Sequence, residues 1–379
     1  MLTLSDSIGT HGGAEELARQ IAQRLDPDRF QSVLCATRFV PGPATDRVLD
    51  SLRESGTDLI AMQRTGSLSI GAWRGLLAEM RRRRIDIVHS HKLGSNFWAA
   101  LLAPRVPASV FVAHEHTWSY EGQPMRKLLD RQLIARRADA FVAVSEDDRR
   151  KMIEIERIPP EVVRFIPNGI PDPPSPRASE EVRAELGIAP GRPIVGMVAT
   201  LRPQKAYDVL IAAAARLRET VPGVAVVIVG GEESGTTQER LRLEALVAEL
   251  GVEDTVVFAG FRPDAYNVIN AFDVGALSSD FEGSPLTVLE YMEAAKPVVS
   301  TSVGGVPGQV VEGETGLLVE RRNPALLAEA LGSLLLDPER ARAMGEAGRR
   351  RRRELFTVDA TTRAVEKLYL ELARSAVRR

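Results

Sequence analysis

Short apolar runs alternate with longer amphipathic segments along this chain, and the alternation runs through twice. In the first half, "IDIVHS", "SVFVAHEH" and "DAFVAVS" read as buried strands. Between and around them, "GGAEELARQIAQRL", "GAWRGLLAEMRRRR" and "PMRKLLDRQLIARRA" carry helical spacing. Strand followed by helix followed by strand requires crossover connections, so the sheet is parallel. The pattern breaks at residues 166–179, "IPNGIPDPPSPRAS", where five prolines exclude a regular element. It then resumes with "PIVGMVA", "AYDVLIAAAARLRE", "VAVVIVGG", "LRLEALVAELG", "TVVFAG", "VGALSS" and "KPVVSTSVGG". The expected fold class is α/β, with two Rossmann-like domains flanking a cleft. A chain of 379 residues is long enough for two cores. The expected boundaries are 1–168 and 169–355, with 356–379 a closing helical tail.

Composition narrows the function. Hydrophobic residues make up 44% and the net charge is −2, which fits a folded protein and argues against a dedicated nucleic-acid binder. Residues 1–168 carry 24 Lys+Arg against 21 Asp+Glu, and the remainder 25 against 30. The mildly basic first half leaves room for an anionic partner such as a membrane surface, and the segment holding Arg126, Lys127, Arg131, Arg136 and Arg137 is where that contact is expected. Cys35 is the single cysteine, so no intrachain disulfide and no cysteine metal cluster can form. No basic-plus-apolar leader opens the chain and no apolar run reaches a membrane span, which points to a cytoplasmic protein, soluble or peripheral. The run Arg349 to Arg353 reads as a solvated helix face rather than a nucleic-acid patch.

The chemistry concentrates in "DFEGSPLTVLEYMEAAKPVVST", residues 280–301. Ser284 suits an N-cap and Pro285 the first helical position, so a helix is expected from Pro285. Glu282 lies before that start and Glu290 just over one turn inside it. The amides of Leu286, Thr287 and Val288 lie between them, and a helix start is an anion site. Acids on both sides of an anion site suit a diphosphate carrying hydroxyl-rich groups at each end, which describes a nucleotide sugar. Two solvated glutamates are the bland alternative. In "VATLRPQKAYDVL", Arg202 and Lys205 follow a strand and precede a helix, where loops line a ligand crevice. They can neutralise a leaving diphosphate. Both lie on a polar loop, so replacing either is expected to leave the fold intact.

Gly12 and Gly13 open the first helix and allow close backbone approach, although a tight turn explains them equally. His114 and His116, in "VFVAHEHTW", share a face at the end of a strand, and His89 and His91 repeat the pattern. With no acidic or cysteine partner placed by the sequence, contact with substrate is expected rather than a metal site. "GGEESGTT" has glycines at P-loop spacing, but Thr236 stands where lysine is needed.

Together these stretches resemble the family-4 retaining glycosyltransferases of GT-B fold. The resemblance rests on "EGSPLTVLE" with "RPQK" upstream, and on "GGAEELA", "ADAFVAVSE", "IPNGI", "VVFAGF" and "GGVPGQVVEGETGLLV" in the family's order. It implies two facing parallel sheets, with the last helix crossing back onto the first domain. It implies that Arg202 and Lys205 bind the donor diphosphate and that Glu290 holds the ribose. Glu282 would contact the transferred sugar. His116 would lie near the sugar, with His114 the alternative. Gly12 and Gly13 match the family's first glycine loop. Gly283 falls within the donor loop, and Arg262 lies where the base binds, mostly through backbone. Two positions depart from the family: Ala206 replaces a frequent glycine, and Gly308 replaces an acid on the nucleotide side. The implied activity is transfer of a sugar from a nucleotide-diphosphate donor to a hydroxyl acceptor, with retention and without metal or cofactor. A nucleotide-sugar epimerase and a non-catalytic sugar-nucleotide-binding subunit are the rival readings. The sugar, base and acceptor are not legible.

Overall fold

The structure, a computed structural model, describes residues 1–8, 12–64, 66, 69–106, 110–117, 123–231 and 238–377. The P-loop-like glycine spacing ends outside these residues. The chain divides into two compact units, Met1–Gly169 with Thr357–Arg379, and Ile170–Phe356.

The first unit is built on seven strands: β1 (Leu2–Ser5), β2 (Val33–Ala36), β3 (Asp58–Ala61), β4 (Ile87–His91), β5 (Val110–Glu115), β6 (Ala140–Ala143) and β7 (Val163–Phe165). All neighbours pair in parallel, in the order β3-β2-β1-β4-β5-β6-β7. Parallel sheets are buried on both faces, which is why their strands read as continuous apolar runs. Val88, Phe111, Ala113 and Phe141 face one cluster with Trp73 and Met80. Ile87, Val110, Val112, Ala140 and Val142 face the other, where the closing helix Val358–Val377 supplies Val365, Leu368, Tyr369 and Leu372. That final helix therefore belongs to the first unit.

The second unit carries β8 (Ile194–Val198), β9 (Ala225–Val229), β10 (Val256–Gly260), β11 (Val274–Leu277), β12 (Val298–Thr301) and β13 (Gly316–Val319). Their order is β10-β9-β8-β11-β12-β13, again parallel. The fold class is thus α/β with two parallel Rossmann-like sheets. Among the described residues no helix is long and apolar enough to cross a membrane.

The arginine run is a solvated face only in part: Arg350 and Arg353 are exposed, but Arg352 is not. Arg352 is 0% exposed and reaches Asp172 at 2.6 Å, Glu293 at 3.1 Å and the carbonyls of Ile170 and Pro171. Arg349 and Arg353 also hold Glu293, through its carbonyl and its carboxylate, and Arg351 donates to the carbonyls of Gly308 and Gln309. The run clamps the helix Pro338–Leu355 onto its own unit.

Candidate functional site

In the second sheet the chain leaves β8 toward β10 on one side, then returns to β11 and proceeds to β13 on the other. Connections depart in opposite directions between β8 and β11. Such a reversal opens a crevice at the strand carboxyl ends, where ligands of open α/β sheets bind. The segment holding Arg202 and Lys205 follows β8, and the segment holding Glu282 and Gly283 follows β11. Hydrogen bonds lock these loops together. The Ser278 hydroxyl donates to the carbonyls of Lys205 and Ala206, both at 3.0 Å. Asp280 N–H donates to the Gln204 carbonyl at 2.9 Å, and Gln204 Nε2 returns a bond to Phe281 O at 2.8 Å. From β12, Gly305 N–H donates to Gly283 O at 2.7 Å. Gly304, at φ +52°, lies so close that a Cβ would overlap the Glu282 carbonyl. Only glycine satisfies both the dihedral and the contact.

Lys205 Nζ lies 2.5 Å from Glu282 Oε1, which also accepts from Ser279 Oγ at 2.6 Å. Glu282 is buried. This pairing bears on the expectation that replacing Lys205 leaves the fold intact: its removal leaves a buried carboxylate without its cation. Ala206 sits in the left-handed region, φ 48° and ψ 47°, which explains why glycine suits that position.

The helix over the crevice spans Leu286–Glu293, one residue later than expected. Pro285, not Ser284, is the N-cap, and no side chain caps it. Ser284 Oγ instead accepts from Gln309 Nε2 at 3.1 Å, and Gln309 also donates to Pro285 O at 3.2 Å. Leu286, Thr287 and Val288 supply the first three amides, which no intrahelical carbonyl can reach. Thr287 Oγ1 donates to Val198 O at 3.1 Å and ties the helix start to β8, while the Val288 side chain is core. Only backbone at Val288 can meet a ligand. Glu290 is half-buried inside the first turns.

Arg262 follows β10, and its guanidinium is engaged by Asp264 at 2.7 and 2.8 Å and by Glu185 at 2.9 Å. Those carboxylates hold its pKa above the usual range. Its backbone, beside Gly230 and Gly260, is what remains to offer; Gly230 N–H donates to Gly260 O at 2.8 Å.

The first unit has its own reversal, between β1 and β4. Gly12 is the N-cap of the helix Gly13–Arg24, and Glu15 on that helix pairs with Lys92 after β4. Asp6, after β1, accepts from Arg64 at 3.3 Å and Ser95 at 3.1 Å. His116 Nε2 lies 2.9 Å from His91 Nδ1, and its own N–H reaches Glu115 Oε1 at 3.2 Å. His114 is fully buried and turned to His89 at 3.1 Å. Burial pushes the His114 pKa down to about 3 and those of His89, His91 and His116 well below the usual value. His116 is the half-buried one of the two alternatives.

Comparison with known proteins gives these features a context. Residues 178–351 match the family described as glycosyl transferases group 1, and residues 11–172 match glycosyltransferase family 4. A D-inositol 3-phosphate glycosyltransferase of Nocardia farcinica is 37% identical over 277 residues, 69% of this chain and 61% of that protein's length. One of Corynebacterium efficiens is 31% identical over 326 residues, 80% of this chain and 76% of that protein. The chain belongs to the group 1, family 4 glycosyltransferases. Its architecture agrees with solved structures. Anabaena HepE in complex with UDP-glucose superposes with a TM-score of 0.84 at 22% identity, covering 98% of this chain and 99% of that one. Sucrose-phosphate synthase from Thermosynechococcus elongatus gives 0.81 at 21% identity, covering 99% of each. These likenesses show the GT-B fold.

In this glycosyltransferase Arg202, Lys205, Glu282, Gly283, Leu286, Thr287, Val288 and Glu290 all belong to the unit Ile170–Phe356, on the segments that follow β8 and β11. Arg262 belongs to the same unit, after β10. Gly12, Gly13 and His116 belong to the unit Met1–Gly169 with the closing helix. Sequence reasoning missed Ser279, Gln309 and the Lys205–Glu282 pair. Gln309 reaches Ser284 and Pro285 from the segment after β12, a contact that nothing in the local sequence marks, whereas Ser279 acts within the β11 loop, three residues before Glu282.

Proposed function

We propose that this chain transfers a sugar from a nucleoside-diphosphate donor, UDP-linked in the first instance, to a hydroxyl acceptor. The anomeric configuration is retained, and no metal or cofactor takes part. The observation that carries the reading is the crevice between β8 and β11. The segments that carry two cations, an amide-bearing helix start and two carboxylates follow these neighbouring strands, and Lys205 meets Glu282 there. Arg202, Lys205 and the amides of Leu286–Val288 would meet the diphosphate, and Glu290 would accept from the ribose hydroxyls. Glu282 Oε1 is committed to Lys205 and Ser279, which leaves Oε2 to accept from the sugar. His116 would contact the sugar, and Gly12, Gly13 and Gly283 would admit backbone close to the donor.

A carboxylate already neutralised by Lys205 is a poor covalent nucleophile, which favours front-face displacement. The bond from the anomeric carbon to phosphate oxygen breaks, and its electron pair stays on the phosphate. The acceptor oxygen bonds to the same face, and its proton passes to the departing phosphate oxygen. The chain supplies positioning and charge stabilisation. The relatives' name makes D-inositol 3-phosphate the first acceptor to try. With UDP-glucose or UDP-N-acetylglucosamine and that acceptor, UDP release should accompany an α-linked product, read from the anomeric proton coupling. A β-linked product, or an epimerised donor formed without acceptor, would overturn the reading.

The cytoplasm, with its pool of nucleotide sugars, is the compartment this reading implies. Peripheral contact with an anionic membrane is a separable part of it. Met125 and Leu128 are 66% and 44% exposed beside basic residues. Arg126 is partly engaged by Glu115, and Arg137 donates to Ala100 O. Flotation with anionic liposomes at low salt should recover the protein, and its absence from the floated fraction would remove this part.

A further inference from the structure

Four histidines form a column on the first sheet. Strands β4 and β5 are neighbours with His91 opposite His114. Residues two apart along a strand share a face, so His89, His91, His114 and His116 line up together. The His89 and His114 rings meet edge to edge through Nε2 and Nδ1 at 3.1 Å, and the His91 and His116 rings meet through Nδ1 and Nε2 at 2.9 Å. The His91 and His114 ring centroids are 4.9 Å apart.

Two atoms in this column have no hydrogen-bond partner. His91 Nε2 and His114 Nε2 are both buried and unmet. A buried polar atom left unmade is costly, and two on adjacent imidazoles call for a common partner. One ring nitrogen from each of His89, His91 and His114 lies within 4.8 Å of the others. Burial favours neutral imidazoles, the form that ligates metal. On the far side, Tyr369 Oη lies 2.6 Å from His89 Nδ1, which turns His89 Nε2 into the column. A fixed partner on the outer nitrogen is the support that metal-ligating histidines require.

We propose that His89, His91 and His114 form a binding site for a borderline transition-metal ion, Zn²⁺ foremost. Three imidazoles with no carboxylate among them select Zn²⁺, Co²⁺ or Ni²⁺ over Mg²⁺ and Ca²⁺, which take oxygen ligands. Tetrahedral zinc at about 2.0–2.1 Å from each nitrogen sets those nitrogens roughly 3.3 Å apart. His89 Nε2 and His114 Nδ1 stand 3.1 Å apart as a hydrogen-bonded pair, so the ion would instead take the unmet Nε2 atoms of His91 and His114 together with His89 Nε2, and closing the three nitrogens from within 4.8 Å to that spacing needs rotation of the rings. His116, stacked 4.4 Å from His114 between centroids, is the nearest further imidazole. Tyr369 comes from the closing helix, so the ion would also brace that helix on the sheet.

The test is titration of untagged full-length protein, stripped with chelator and dialysed, with Co²⁺ and then Zn²⁺. One equivalent of Co²⁺ should bind with the visible bands of tetrahedral cobalt. Zn²⁺ should displace it, and Mg²⁺ should not. Tyr369→Phe should weaken binding about 10–100-fold, the usual effect of losing an outer-shell partner. His91→Asn and His114→Asn should each lose stoichiometric uptake, while circular dichroism confirms that they fold. Absence of stoichiometric Co²⁺ or Zn²⁺ uptake by the wild-type chain overturns the proposal with no variant needed. Uptake unchanged in both asparagine variants overturns it equally.

Discussion

Lys205 cannot be changed without touching Glu282, and this coupling governs every test of the site. Lys205→Ala should cut transfer about 10²–10³-fold, the usual effect of losing one preorganised charge stabiliser. It should also destabilise the second unit by about 3–5 kcal/mol, because a buried carboxylate loses its cation. The double variant Lys205→Ala/Glu282→Gln should regain most of that stability in urea unfolding while transfer stays low. Recovery of activity in the double variant would show that the lysine acts only on Glu282. Gly304→Ala is the complementary probe. It places a methyl on the Glu282 carbonyl at a left-handed position, so UDP affinity and thermal stability should fall together in calorimetry. The sequence marked Lys205 and Glu282 as chemistry-bearing but could not pair them. They lie 77 residues apart, and their contact exists because β8 and β11, not successive strands, are neighbours.

Elements were legible where their periodicity was strong, as in the helices Tyr207–Thr220 and Val358–Val377. They were misread where tertiary partners decide. The arginine run looked solvated throughout because Glu293 and Asp172 are invisible from within its own helix. The segment from Pro124 reads as one helix, yet it runs Pro124–Leu129, then a π turn at Asp130–Ile134, then Ala135–Arg137. Asp130 in that turn is buried, and neither carboxylate oxygen has a hydrogen-bond partner. Burial, helped by Glu115 and opposed by Arg126, raises its pKa to about 7. The folded state then holds a proton that the unfolded chain releases near pH 4. Stability from this group is therefore full below about pH 4, falls as pH rises, and reaches its minimum above about pH 7. Asp130→Asn should raise the melting temperature at pH 8 and leave it nearly unchanged at pH 4. An equal shift at both pH values would contradict that assignment.

At the scale of the molecule, two runs of strand–helix alternation were enough to call for two parallel sheets, because parallel pairing permits few other arrangements. Which unit the chain's last helix joins was not legible from the periodicity, since one amphipathic stripe fits many apolar faces. The sequence's three tryptophans, at positions 73, 98 and 118, all precede residue 170, where the second unit begins. Calorimetry rather than tryptophan emission is therefore the probe for the unit that carries the cationic pair. UDP at 100 times its Kd should stabilise the fold by about 2.7 kcal/mol. On the proposed function, Arg202, Lys205 and the helix start at Leu286–Val288 meet the leaving diphosphate unaided. The most direct test of this is the rate of sugar transfer in excess chelator, with and without added Mg²⁺ or Mn²⁺. The rate should be the same in chelator as in its absence, with no gain from either cation. Transfer abolished by chelator and restored by Mg²⁺ or Mn²⁺ would contradict this reading.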